Sequence, residues 1–181
     1  MKLKTNINKW HSELNFFTEA ECEKVKNIGD ACIREKGGVL GRNNFSRKCK
    51  VGWISYDNAS WIYEKIKSKM YEINSNLWNF NLDGEMEQLQ YLEYGLGEFY
   101  AKHMDNGHDE VSCRKLTMVI QLSKNYVGGK LKVWGDKKGF APKDIGSLTV
   151  FPSHLFHQAN PVFWGKRNVL VCWIKGKTPL Q

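Results

Sequence analysis

No apolar run in the 181 residues approaches the roughly 20 that a membrane span requires, and the opening MKLKTNINKWHSEL lacks the apolar stretch of a signal peptide. These two gaps make a cytoplasmic setting, with no membrane partner, the expectation. Cysteine is sparse and unpatterned. Cys22, Cys32, Cys49, Cys113 and Cys172 are odd in number and show neither CxxC nor zinc-finger spacing, which argues against a disulfide framework and a structural zinc. Acidic residues are outnumbered, 19 against 27 Lys plus Arg, for a formal charge of +8. The basic residues are scattered, as in EKIKSKM and GDKKGFAPKD, with no Arg-rich arm and no nucleic-acid module, so nucleic acid is an admissible partner but not the favoured one. Internal repeats, low-complexity segments and sustained heptads are also missing, and the last of these leaves the oligomeric state open.

What is present suits an ordered globular domain. Apolar residues make up 41% and charged residues 25%, and seven Trp, seven Tyr and nine Phe run through the chain. The length fits a single domain over 1–181 that buries roughly two thirds of its unfolded surface without staples. In NFFTEAECEKVKNIGDACIREKGG, Thr18 followed by Glu21 predicts a capping box, with Phe17 as the staple residue before it. Cys22, Val25, Ile28, Ala31 and Cys32 recur at helical spacing, and Gly37–Gly38 is the expected stop. A polar stretch, GRNNFSRKCK, holds Arg42 and Arg47, and VGWIS reads as a short strand. A second amphipathic helix is expected over 59–77, carried by Trp61, Ile62, Ile66, Met70 and Ile73.

The period then changes. EQLQYLEYG, GEFYAKHMD, KLTMVIQLS, GGKLKVWG, GSLTVFP and NVLVCWI are short, rich in β-branched and aromatic residues, and separated by turn residues. The fold class expected is an all-β core with flanking helices, α+β overall. Residues 1–80 would be mainly helical support and 85–176 the core. Many evenly spaced strands without helical crossovers favour a barrel or a double-sheet jelly roll over a parallel α/β sheet.

His103 and Asp105 are two apart in GEFYAKHMD, so on a strand they share a face and can grip one ion. The run GSLTVFPSHLFHQANPVFWGKRNVLVCWI supplies His154 and His157 after a strand ending at Phe151. Two histidines and one carboxylate make the facial triad that leaves positions on Fe(II) open, although zinc accepts the same donors. Arg167, ten residues past His157, presents a planar fork suited to the far carboxylate of a keto acid.

These runs, YLEYGLGEFYAKHMD, RKLTMVIQLSKNYVGGKLKVW and GSLTVFPSHLFHQANPVFWGKRNVLVCWI, resemble the Fe(II)/2-oxoglutarate-dependent dioxygenases of the prolyl 4-hydroxylase type, over Gln88 to Ile174. NFFTEAECEKV is similar to that family's first helix. The resemblance implies a double-stranded β-helix (cupin-like jelly roll) with two N-terminal helices packed on the major sheet. It implies Fe(II) and 2-oxoglutarate as cofactors, with ascorbate as a candidate reductant. By position, His103, Asp105 and His157 would be the iron ligands, and Arg167 would pair with 2-oxoglutarate. His154 would sit at the rim. Tyr94 would line the iron and cosubstrate pocket, with Tyr100 as a neighbouring wall or packing residue. Where relatives place a tyrosine against the cosubstrate carboxylate this chain has Gln121, with Thr117 as the fallback, and Lys130 stands where many have glutamate.

The substrate implied is a prolyl residue in a protein or peptide, hydroxylated with succinate and CO2 as co-products. GRNNFSRKCK and GDKKGFAPKD are candidate loops to close over it, while Trp53, Trp78, Trp134 and Trp164 are candidates for a groove or for core edges. His108, Asp109 and Glu110, beyond the Asn106–Gly107 turn, would shape the pocket mouth. Alternatives are the same chemistry on a lysyl residue, a free amino acid or a nucleobase, a keto-acid-independent cupin-like enzyme, and a non-enzymatic metal-binding domain.

Overall fold

A computed structural model describes residues 6–37 and 46–177. In chain order the elements are β1 (His11–Glu13), α1 (Glu19–Cys32), β2 (Ile33–Gly37), β3 (Arg47–Ile54), α2 (Tyr56–Leu77), β4 (Leu89–Tyr94), β5 (Phe99–His103), β6 (Arg114–Gln121), β7 (Val127–Gly128), β8 (Leu131–Trp134), β9 (Lys138–Phe140), β10 (Leu148–Pro152), β11 (Phe156–Ala159), β12 (Val162–Trp164) and β13 (Arg167–Lys175). A short 3-10 turn spans Asp109–Val111. Arg42 and Gly38 lie outside the described residues, as does the side chain of Glu110.

The start of α1 follows from Thr18. Its hydroxyl accepts from the Glu21 N–H at 3.2 Å while the Glu21 carboxylate accepts from the Thr18 N–H at 2.8 Å, so two of the donors orphaned at a helix start are satisfied reciprocally. The helix ends earlier than Gly37–Gly38. Ile33 turns extended at φ −63°, ψ 117°, and the chain continues as β2 against β3, where pairing satisfies its backbone better than another helical turn. The second helix begins at Tyr56 rather than Ala59, because one turn precedes a kink at Ala59 (φ −157°, ψ 36°).

The strands form a curled, mostly antiparallel sheet in the order β1-β10-β6-β13-β4-β3-β5-β11-β8-β9, with β2 on β3. Strand β3 makes the curl. Lys50–Ile54 pair with β4, whereas Arg47 and Lys48 pair with Tyr100 and Phe99 of β5. The result is a major sheet (β1, β10, β6, β13, β4, β3) facing a minor one (β5, β11, β8, β9), the double-stranded β-helix with two flanking helices. Residues 1–80 are therefore more than helical support, since β3 joins the two sheets.

Alternation along β13 divides the interior into two cores. Leu170, Cys172 and Ile174 point to the helices and pack with Ile62, Ile66 and Met70 of α2 and Val25 of α1. Val169, Val171 and Trp173 point the other way, into the space between the sheets, with Leu92, Val119 and Val133. The first core fastens helices to sheet, and the second surrounds the site.

The segment GDKKGFAPKD is not a free lid. Lys138–Phe140 pairs with β8, and the Lys143 ammonium donates to the Tyr126 carbonyl at 3.0 Å. In the same way Arg47–Lys50 of GRNNFSRKCK belongs to β3. Of the four tryptophans, Trp78 is buried with its indole N–H on the Lys9 carbonyl, and Trp53, Trp134 and Trp164 lie on β3, β8 and β12.

Candidate active site

Strands β5 and β11 lie side by side, and their register sets His103 opposite His157. Asp105, two residues past His103, is held where β5 ends by its N–H donating to the Ser153 carbonyl at 2.9 Å. One ligand atom from each of His103, Asp105 and His157 lies within 4.8 Å of the others, and the three form a possible metal-holding cluster. His154 is elsewhere, against Asn8 Oδ1 at 3.4 Å.

Both imidazoles have their tautomers set by backbone. The Nδ1–H of His103 donates to the Ala101 carbonyl at 2.8 Å, and that of His157 to the Leu155 carbonyl at 3.1 Å. In the neutral ring this leaves Nε2 as the lone pair, the form that binds a metal. The His103 Nε2 lies 3.5 Å from one Asp105 oxygen, and the His157 Nε2 3.3 Å from the other. Burial is the main influence on His157 and pushes its pKa down to about 4 against the pull of Asp105, so the ring is neutral near pH 7. Burial raises the Asp105 pKa, but the two histidines and Trp173 outweigh it and hold the carboxyl well below its usual range.

The carboxylate is oriented by its neighbours. Thr117 of β6 donates its hydroxyl to Asp105 Oδ2 at 2.8 Å, and Arg114 donates to the Asp105 carbonyl at 3.2 Å. Arg114 is fixed in turn by Glu87 and lies 4.0 Å above the Trp173 ring. Thr117 thus serves the carboxylate.

The cluster opens into a cleft lined by Tyr94, Tyr100, Leu131, Val119, Val169 and Arg167, among others. Tyr100 stacks on His103 with ring centroids 3.5 Å apart. Arg167 is 2% exposed, sits over the Tyr94 ring at 5.3 Å, and buries Nε and Nη2 without any hydrogen-bond partner. Two buried guanidinium donors left unpaired are costly, and a carboxylate entering the cleft would satisfy them. The donor set and the orphaned fork together fit a divalent metal and a dicarboxylate.

Gln121 is buried, and its amide oxygen accepts from the Tyr126 hydroxyl at 3.3 Å. Tyr126 is the residue that sequence reasoning missed. Burial raises its phenol pKa, and the adjacent Arg167 guanidinium draws it back down. The signal that could have found it is the Gly128–Gly129 pair that follows: a Cβ on Gly129 (φ +60°) would meet Arg167 Cδ at 2.9 Å and the Tyr126 ring at 3.2 Å. Gln90, whose amide oxygen accepts from buried Arg47 at 3.0 Å, is a second unforeseen wall of the cleft.

Residues 89–175, from the first residue of β4 to the last of β13, match the family model described as the 2OG-Fe(II) oxygenase superfamily. A PKHD-type hydroxylase of Gloeothece citriformis is 32% identical over 100 residues, covering 50% of this chain and 44% of that protein. The chain spans about half the length of the curated relatives it matches. The crystal structure of a Pseudomonas putida prolyl-4-hydroxylase has the same fold, with a TM-score of 0.75 at 20% identity, covering 93% of this chain and 92% of that one. A Trichoplax adhaerens prolyl hydroxylase in complex with a peptide fragment of the hypoxia inducible factor oxygen degradation domain gives 0.79 at 20% identity, covering 94% and 84%. Taken with the three-donor cluster and the jelly-roll framework that carries it, the match leads to one assignment: residues 89–175 form a 2OG-Fe(II) oxygenase core.

Proposed function

We propose that this chain is an Fe(II)- and 2-oxoglutarate-dependent hydroxylase whose substrate is a prolyl residue in a protein or peptide. The observation that carries the reading is the unpartnered, buried fork of Arg167 in the same cleft as the His103, Asp105 and His157 donors. Those three side chains would hold the metal from one side, and Arg167 would take the far carboxylate of the keto acid, with Tyr126 beside it. When bound, the metal and keto acid supply oxygen activation, the keto acid ending as succinate and CO2 while one oxygen atom enters a substrate C–H bond.

The rest is the work of the chain's own groups. Neutral His157 offers its Nε2 without first losing a proton, His103 presents its own Nε2 on the same side, and Thr117 and Arg114 keep Asp105 aimed at them. Leu131, Val119, Val169 and Val171 make the cleft walls apolar and keep water from the reacting centre. A peptide substrate is supported by the shared fold with two prolyl hydroxylases, one of them peptide-bound. The five unpaired thiols support a reducing, cytoplasmic setting.

The test is anaerobic addition of Fe(II) and 2-oxoglutarate, following the visible charge-transfer absorption, and then oxygen, ascorbate and proline-containing peptides with succinate as readout. Keto-acid-dependent absorption and peptide-stimulated succinate are expected, and both should be lost in Asp105→Ala. Absorption that ignores the keto acid would sink the chemistry. Succinate stimulated by lysine peptides or free amino acids, and not by proline peptides, would sink the substrate.

A further inference from the structure

The outer face of the minor sheet, turned away from the cleft, carries side chains that the hydroxylase chemistry does not use. Because alternate residues of a strand point to opposite faces, His103, His157 and Val133 look inward, while Lys102, Phe156, Lys132 and Trp134 look outward. Strand β9 continues the outer face with Lys138 and Phe140. Register sets them in rows: Phe156 opposite Trp134 and Trp134 opposite Lys138, then Gln158 opposite Lys132 and Lys132 opposite Phe140. The Lys102 ammonium lies 4.4 Å from the Phe156 ring and 4.9 Å from Trp134, and the Lys132 ammonium 5.0 Å from Trp134 and 5.4 Å from Phe140. Lys130 adds a fourth cation at 5.2 Å from Phe140.

This face is open and its charge is of one sign. Phe140 and Phe156 are 49% and 42% exposed. Among the described residues none of Lys102, Lys130, Lys132 and Lys138 is in an ion pair, although lysines elsewhere are paired, as Lys50 is with Glu93 and Lys65 with Glu21. Local desolvation and then the like charge of Lys138 hold the Lys132 pKa below its ordinary value, as expected where cations crowd without anions.

We propose that this face binds a single-stranded nucleic acid, at a site back to back with the cleft and independent of its chemistry. Lysines and aromatic rings interleave on one sheet face, so a chain alternating phosphates with planar bases can satisfy both at once. An acidic peptide would use the lysines and leave Trp134, Phe140 and Phe156 nothing to stack on. A lipid surface would call for apolar side chains that protrude from loops, not rings lying along a sheet among ammonium groups.

Fluorescence anisotropy of the full chain with a labelled oligodeoxyadenylate of about twelve nucleotides tests the site. Binding is expected to weaken with salt along a log–log slope of about −3, as four lysine–phosphate contacts on a single strand require. Trp134→Leu and Phe140→Leu keep apolar bulk but lose the ring, and each should weaken binding about 10-fold. Lys102→Glu combined with Lys132→Glu should abolish it, while Lys24→Glu, on exposed α1, should change it less than about twofold. Unchanged melting temperatures would show that these variants fold. If Lys24→Glu weakens binding as much as the sheet variants, the attraction belongs to the whole basic surface and the proposal fails. Leucine variants that bind as the parent does, with oligoglutamate displacing the oligonucleotide at equal charge, would overturn it in favour of an acidic protein. Loss of succinate production would bear on the hydroxylase reading alone.

Discussion

At the scale of single residues, the site depends on groups that never touch a ligand. Thr117 donates to Asp105 Oδ2 at 2.8 Å and shares a 3.0 Å contact with Ser153, so Thr117→Val keeps the shape and deletes the orienting bond. Metal affinity should fall roughly 10- to 100-fold, measured by anaerobic titration calorimetry. An unchanged affinity would mean that the carboxylate is held by its backbone alone. Tyr126→Phe addresses the other end of the cleft. Removing a hydroxyl beside Arg167 should raise the 2-oxoglutarate concentration for half-maximal rate about 10-fold, the weight of one bond to a charged group, with metal affinity unmoved. Equal effects on metal and keto acid would contradict that placement. His103 with Asp105, and the later His154, His157 and Arg167, were legible as local signals, a spacing of two on a strand and a following arginine, while the choice of His157 over His154 came from the family resemblance. Tyr126 was not, since it lies past the end of β6 beyond Asn125, whose φ of 63° turns the ring back toward Gln121.

At the scale of elements, local chemistry decides where helices start and pairing decides where they stop. Burial raises the Glu21 pKa, but bonds from Lys65 and Thr18 more than offset this and leave it below the ordinary carboxyl value. The stability it contributes is therefore present above the unfolded value of 4.5 and is lost as pH falls through the lower folded value. Melting temperature followed downward from pH 5 should drop less steeply in Glu21→Gln than in the parent, and parallel curves would remove the capping box from the acid response. The start of α1 was readable from Thr18 and Glu21. Its end was not, because Ile33 leaves the helix for β3, a partner beginning fourteen residues later.

Across the whole molecule, the two cores separate stability from chemistry. Ile66 is fully buried among residues that fasten α2 to the major sheet, and it does not line the cleft. Ile66→Ala should cost roughly 2–5 kcal/mol in denaturant titration, while the folded fraction keeps its 2-oxoglutarate response. A loss of cosubstrate binding without loss of stability would show the cores to be coupled. The sequence by itself determined the all-β character, the two amphipathic helices, the HxD pair and a downstream set of His154, His157 and Arg167, because each is written in a period or spacing that a short segment carries. Only the tertiary structure decided that β3 would join both sheets, that Thr117 would serve Asp105, that Tyr126 would return to Arg167, and that lysines at 102, 130, 132 and 138 would gather with Trp134, Phe140 and Phe156 on one face. The physical reason is common to all four: backbone hydrogen bonds between strands bring together residues far apart in the chain, and no local period records which strand will be the neighbour.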